Sequence, residues 1–260
     1  MSSQKIQGKL WGKRSKDWAS IQEATSEAGY EYALQLLKIK PTETLLDVGC
    51  GSGVFCDLAL KKGAKVTGVD ASELLIEEAK KRNSSISHHA GDMEDLSFQD
   101  NSFDIVCAFN SLQYASDVTN ALSEAKRVLK DKGRLIVMIW GNKEDCEFAT
   151  YMKAVRDFFP PPPPVAHGPF TLSENRLLEK TIEGIGLRII DNTDVTSVWN
   201  YPSVDVALKG IMSAGPAART IETIGFEKVY EAMNMVIGPF IQQNNSVVFN
   251  NKLRVVTSVK

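Results

Sequence analysis

Between residues 27 and 140 the apolar positions switch regularly between helical spacing and short unbroken runs. Ala33, Leu36 and Leu37 form a helical stripe that stops at Pro41. TLLDVG (44–49) is an apolar run of the kind a strand buried on both faces requires, and VFCDLALKKG (54–63) reads as a helix closed by a glycine. KVTGVD (65–70) predicts the next strand. In SELLIEEAKKRN (72–83), Ser72 is placed as an N-cap, and acids lead and bases trail as the helix dipole favours. SISHHAGD (85–92) and FDIVCAF (103–109) predict the third and fourth strands. VTNALSEAKRVLKDKG (118–133) sets Ala121, Leu122, Ala125, Val128 and Leu129 on one face and predicts a helix ending at Gly133, before a fifth strand, RLIVMIW (134–140). Strands alternating with helices predict an α/β fold with a parallel sheet, right-handed crossovers and helices on both faces.

Beyond residue 140 the rhythm changes. A helical piece (147–159) precedes PPPPP (160–164), which can enter neither a helix nor a central strand and reads as a polyproline connector. One more helix and strand are expected over 172–195, and helices punctuated by Gly215-Pro216 and Gly225 over 203–242. A last strand is expected over 246–259, its direction undecided by pattern. Met212, Met233 and Met235 in the helical stretch suit an apolar cover or ordinary core.

Composition narrows the partners. At 260 residues and 43% hydrophobic content the chain suffices for one large domain. Thirty basic against thirty-two acidic residues, net charge -2, with no basic run, argue against nucleic acid as the main partner. The N-terminus lacks an apolar signal core and no eighteen apolar residues run together, so the expectation is a cytoplasmic protein without membrane insertion. Cys50, Cys56, Cys107 and Cys146 have no CxxC spacing and no histidines at zinc intervals, which predicts buried reduced thiols and no metal site.

The chemistry concentrates in LLDVGCGSGVF (45–55). Gly49, Gly51 and Gly53 lie between a predicted strand and a predicted helix, where a tight turn lets backbone approach a ligand and a helix N-terminus offers free N–H groups. A dinucleotide fingerprint would have its last glycine at position 54, which is Val54; the pattern is GxGxG. Asp70 ends the second strand, placed to accept from both ribose hydroxyls or simply to cap the following helix. Asp92 and Met93 suit an adenine amine and ring face. His88 and His89, on the third strand, read as structural histidines.

Taken in order, Leu45–Phe55, VTGVDAS with Asp70, AGDMEDLSF with Asp92, and FDIVCAFNSLQYASD followed by ALSEAKRVLKDKGRLIVMIWG resemble the motifs of class I S-adenosylmethionine-dependent methyltransferases, most nearly the small-molecule branch of ubiquinone and menaquinone biosynthesis. The resemblance covers 40–140 strongly and the remainder loosely. It implies a Rossmann-like, doubly wound seven-stranded sheet of order 3-2-1-4-5-7-6, with strand 7 antiparallel and an added helical lid. One domain (1–260) would comprise an N-terminal helical segment over the cofactor (1–40), a cofactor-binding core (40–140), a lid and substrate region (141–245) and a final strand (246–260).

By position, the resemblance implies that Gly49, Cys50, Gly51 and Gly53 approach the methionine and ribose portions of S-adenosyl-L-methionine, with Asp47 supporting the loop. Asp70 would hold the ribose, Ala71, Asp92 and Met93 the adenine side, and Asn110 the methionine moiety. Trp11, Arg14 and Trp18, in the N-terminal segment, and Ser111, Gln113, Tyr114 and His167 are candidates for a cofactor or substrate cover. NSLQ (110–113) replaces the Pro-Pro-Tyr tetrad of nitrogen-directed DNA and protein methyltransferases, which points to a small-molecule acceptor methylated on O, C or N, with S-adenosyl-L-homocysteine as product. No catalytic residue is assigned, because an activated sulfonium needs alignment more than a base. The competing readings are a non-catalytic adenosyl-cofactor-binding module serving a partner protein and, disfavoured by Val54, a nicotinamide-dependent dehydrogenase.

Overall fold

The two most apolar runs form the centre of the sheet. In the computed structural model, which describes residues 3–159 and 168–260, β1 (Thr44–Val48) lies parallel to β4 (Phe103–Phe109), with Leu45 opposite Ile105. On one side of β1 lie β2 (Lys65–Asp70) and β3 (Ser87–Ala90), both parallel. On the other side of β4 come β5 (Leu129–Trp140), then β7 (Val247–Val259) and the edge strand β6 (Arg188–Tyr201). The order is β3-β2-β1-β4-β5-β7-β6, and β7 runs antiparallel to both neighbours, with Val137 opposite Val256 and Thr193 opposite Val255. This is the Rossmann-like, seven-stranded arrangement that the motif order implies.

The helices are α1 (Ser3–Gly12), the single turn α2 (Ser15–Asp17), α3 (Glu27–Leu37), α4 (Val54–Lys61), α5 (Glu73–Arg82), α6 (Val118–Val128), α7 (Glu147–Arg156), α8 (Leu177–Gly184), α9 (Val204–Ile211), α10 (Gly215–Ile224) and α11 (Phe226–Val236). Ser72 caps α5, its Oγ accepting from the Leu75 N–H at 3.3 Å, and Asp117 caps α6 through the Asn120 N–H at 3.0 Å. Each such cap is worth about 1 kcal/mol.

One face of the sheet packs on α6 and α8 through Val106, Leu122, Val128, Val137 and Ile182; the other packs on α3 and α4 through Leu37, Leu45, Phe55 and Ile136. A third cluster, rich in aromatic rings, joins Trp140, Phe148, Tyr151, Trp199 and Phe249 to α9 and α11.

The helix expected over 118–133 ends earlier, at Val128. Leu129 turns extended (ψ 134°) and pairs with Phe103, while the next pairing, Ile105 with Arg134, loops out the intervening residues, where Lys132 takes a left-handed φ of 64°. Burial of Leu129 against the sheet outweighs the helical periodicity. All four cysteines are free and buried, as expected of reduced thiols. The proline run 160–164 and His167 lie outside the described residues. Among those described, no helix is long and apolar enough to cross a membrane, and no histidine, cysteine and carboxylate cluster could hold a metal.

Candidate functional site

The chain leaves β1 through Gly49, whose φ of +78° and position against Ser111 both demand a glycine: a Cβ there would collide with the Ser111 side chain. Ser111 in turn donates from Oγ to the Val48 carbonyl at 2.8 Å, tying the end of β4 to the end of β1. The Gly49 and Cys50 N–H groups donate to the Val69 carbonyl at 2.7 and 3.0 Å, which draws the turn over the end of β2. Asp70 holds the remainder of the turn. Its Oδ2 accepts from the Gly51 N–H at 2.9 Å and its Oδ1 from the Ser72 N–H at 2.8 Å, so this carboxylate organises the loop and the helix start together, with one lone pair spare on each oxygen.

Two more buried carboxylates stand beside this loop. Asp47, 1% exposed, accepts from the Cys56 thiol at 3.4 Å, while its Oδ1 has no partner among the described residues. Glu23, 3% exposed, reaches down from the N-terminal segment and accepts from the Ser52 N–H at 3.1 Å and from the Ser52 hydroxyl. Desolvation pushes Glu23 up to about 7, against the pull of Ser52 and Arg82, and pushes Asp47 up to about 7, with the Glu23 and Asp70 charges adding to it. Desolvation also raises Asp70, opposed by its two N–H donors. The nearest cation, Arg82, stands 3.9 Å from Glu23 and spends its donors on Ser52 and on the Ala19 carbonyl. The cluster is short of positive charge.

Above it the N-terminal segment closes the carboxyl ends of the strands. Trp11 and Trp18 meet edge to face at 4.7 Å, and Trp11 packs on Tyr114 at 5.1 Å. These three rings, with Ser26 and Asn110, line two spaces at once. On one side is a narrow cleft of about 70 Å³ bordered by Glu23, Gly49, Gly51, Asp70, Ala71 and Met93, continued by a smaller recess at Asp70, Ala71, Asp92 and Met93. On the other is a cavity of about 540 Å³, walled by Trp140, Phe148, Phe170 and Trp199. Asn110 sits at a left-handed φ of 50°, a conformation Asn tolerates better than most residues. Its Nδ2 donates to the Ser26 hydroxyl at 3.3 Å, and its Oδ1 is buried with no partner among the described residues.

The structure thus gathers Gly49, Gly51, Asp70, Ala71, Asp92, Met93, Asn110, Ser111, Tyr114, Trp11 and Trp18 around one cleft, and places Gln113 on the larger cavity. Gly53 sits behind the loop against Ala79 and His88, and the Cys50 side chain points inward toward Cys56 and Gly68. The Cys50 hydrogen bond to Cys56, with burial, holds its thiol well above the usual range and so unreactive. Arg14 is committed elsewhere, to Asp17 at 2.7 and 2.9 Å and to the face of Phe226 at 5.7 Å. His88 is buried, and desolvation lowers its pKa against a weaker opposing contact with the Ile86 backbone; His89 is exposed beside Ser87.

Sequence reasoning missed Glu23, Ser26, Ser52 and Arg82. Glu23 lies in a polar stretch that reads as a solvated helical face. Only the π-helical turn Trp18–Gln22, followed by the 3-10 turn Glu23–Ser26, rotates it inward, and no local pattern announces that rotation.

Residues 46–137 match a family model described as a methyltransferase domain. Among curated proteins, the chain is 32% identical over 149 residues to a 2-phytyl-1,4-naphtoquinone methyltransferase of Nostoc, an alignment covering 53% of this chain and 63% of the relative, under two thirds of its length. Among solved structures, it superposes on a Bacillus halodurans protein described as a putative methyltransferase with a TM-score of 0.60 at 19% identity, covering 89% of this chain and 98% of the other. It also superposes on the [4+2]-cyclase SpnF with a TM-score of 0.64 at 17% identity, covering 100% and 97%; likeness at that identity shows the fold alone. The motifs, the strand order and the family match agree: residues 46–137 resemble a methyltransferase domain, and the chain has the Rossmann-like seven-stranded fold of the solved structures on which it superposes.

Proposed function

We propose that this protein is an S-adenosylmethionine-dependent methyltransferase acting on a small, partly apolar acceptor held in the larger cavity. The observation that carries the reading is the cation-poor set of buried carboxylates, Glu23, Asp47 and Asp70, beside a cleft that shares its aromatic wall with an apolar cavity. The donor set suits the cofactor: carboxylates for its ammonium and sulfonium, the spare lone pairs of Asp70 for ribose hydroxyls, and Ala71, Asp92 and Met93 for the adenine side. The cleft is smaller than the roughly 300 Å³ at which ligand pockets begin, and it shares Trp11, Trp18, Tyr114 and Asn110 with the larger cavity beside it. The bound cofactor supplies a methyl group already activated for displacement.

The rest of the work belongs to the chain. Trp11, Trp18 and Tyr114 keep water from the junction of the two spaces, and Asn110 and Gln113 present buried amide groups to orient the acceptor. Among the described residues lining the larger cavity there is no histidine and no buried carboxylate, and burial pushes the Tyr114 phenol up to about 12. Catalysis there rests on alignment, and the acceptor atom must be acidic or anionic in its own right, as a phenol, quinol or enol is. The relative's named naphtoquinone substrate supports a planar ring in this cavity. The test is turnover: offered quinols and phenols, the protein is expected to release S-adenosyl-L-homocysteine with at least one of them, and release with none across a broad panel counts against methyl transfer.

A further inference from the structure

The larger cavity is apolar in its walls and basic at its mouth. Lys153 and Arg156 project from the cavity face of α7, one turn apart, and Lys143 joins them from the 3-10 turn before that helix. All three are exposed, and among the described residues none makes an ion pair or a side-chain hydrogen bond, unlike Lys9 and Lys13, which pair with Glu222, or Arg127, which pairs with Glu124 and Asp100. The single carboxylate on the same lining is Glu174, exposed. Deeper in, Gln113 is 8% exposed, and neither of its amide atoms has a partner of good hydrogen-bond geometry, although it sits beside the Tyr114 hydroxyl.

We infer that the occupant of this cavity is an amphipathic anion: a planar or prenyl-like apolar body among Trp140, Phe148 and Trp199, with a carboxylate or phosphate head bound by Lys143, Lys153 and Arg156. A volume of about 540 Å³ falls within the 300–1,000 Å³ range of small-molecule pockets. Three cations without ion pairs on the lining of one cavity would have their mutual repulsion relieved by an anionic ligand, and a charge-assisted contact to guanidinium or ammonium is the strong kind. Gln113 supplies one donor and one acceptor to a polar group on the ligand body. The inference names the substrate class for the proposed methyltransferase and rests on that reading only for calling the occupant an acceptor.

All four tryptophans of the chain line the cavity, so intrinsic fluorescence reports binding without turnover. The probes are 2-naphthoate, 2-naphthyl phosphate and the neutral 2-naphthamide, titrated without cofactor. At least one anion is expected to bind about tenfold more tightly than the amide, and whichever does identifies the head group. The preference should vanish in Lys153→Gln/Arg156→Gln and shrink in Lys143→Gln, which lies outside the helix and serves as an independent variant. Equal binding of all three probes, or a preference that survives the double substitution, overturns the inference. S-adenosylmethionine affinity, measured separately by calorimetry, should be the same in these variants as in the parent protein. Loss of cofactor binding in the parent with the anion preference intact would sink the methyltransferase reading and leave the anion pocket standing.

Discussion

Glu23→Gln tests the electrostatics of the site with a change of one charge and almost no volume. Folding takes Glu23 to 3% exposure and raises its pKa from 4.5 to about 7, chiefly by desolvation. A carboxyl whose folded pKa is raised costs nothing below its unfolded value, and the cost grows as pH rises until it is complete above the folded one. At about 1.4 kcal/mol per tenfold change in proton affinity, ionised Glu23 destabilises the ligand-free fold by roughly 3 kcal/mol at pH 8. Gln retains an oxygen to accept from the Ser52 N–H and carries no charge. Urea denaturation should therefore show the variant about as stable as the parent at pH 4.5 and up to about 3 kcal/mol more stable at pH 8. Cofactor affinity should move the opposite way, falling about tenfold, because the charge removed is one that a cationic ligand would neutralise. A variant stabilised equally at both pH values, or not at all, refutes the desolvation account; unchanged cofactor affinity removes Glu23 from the site.

Single contacts yield further expected outcomes. Asp70→Ala removes the acceptor for the Gly51 and Ser72 N–H groups, so it should weaken S-adenosylmethionine binding at least tenfold in calorimetry and also lower the melting temperature. Gly49→Ala puts a Cβ into Ser111 at a φ of +78° and should cost at least about 2 kcal/mol in chemical denaturation. Gly215→Ala would set a Cβ 2.5 Å from Trp11 Nε1, and should speed amide exchange across Ser3–Gly12 while leaving the sheet protected. Cofactor affinity in the parent protein should rise with pH between 6 and 8 as Glu23 and Asp47 ionise; a flat profile contradicts a cation-binding role for the pair.

The central strands β1, β2 and β4 were legible because they are short, apolar and punctuated, whereas the mostly exposed edge strand β6 continues to Tyr201, beyond the 195 that its pattern suggested. Gly49 and Asp70 carry meaning through their place at strand ends, which is why the loop and its carboxylate could be located from the sequence. The helix ending at Val128 was not, since the stripe Ala121, Leu122, Ala125, Val128 continues through Leu129 and only its pairing with Phe103 breaks the period. Glu23 and Arg82 were invisible for a related reason. Their partners lie 29 and 30 residues away in Ser52, and a buried charge looks like a solvated one until the chain around it is folded. The larger cavity draws on segments from Trp11 to Met233, each unremarkable alone.

Equilibrium binding of S-adenosylmethionine to the purified protein, followed by calorimetry beside NADH, bears most directly on the central claim. Micromolar binding of the sulfonium compound, weakened at least tenfold by Asp70→Ala, is the result the carboxylate cluster and the GxGxG turn predict. Binding of NADH with no heat from S-adenosylmethionine would contradict it.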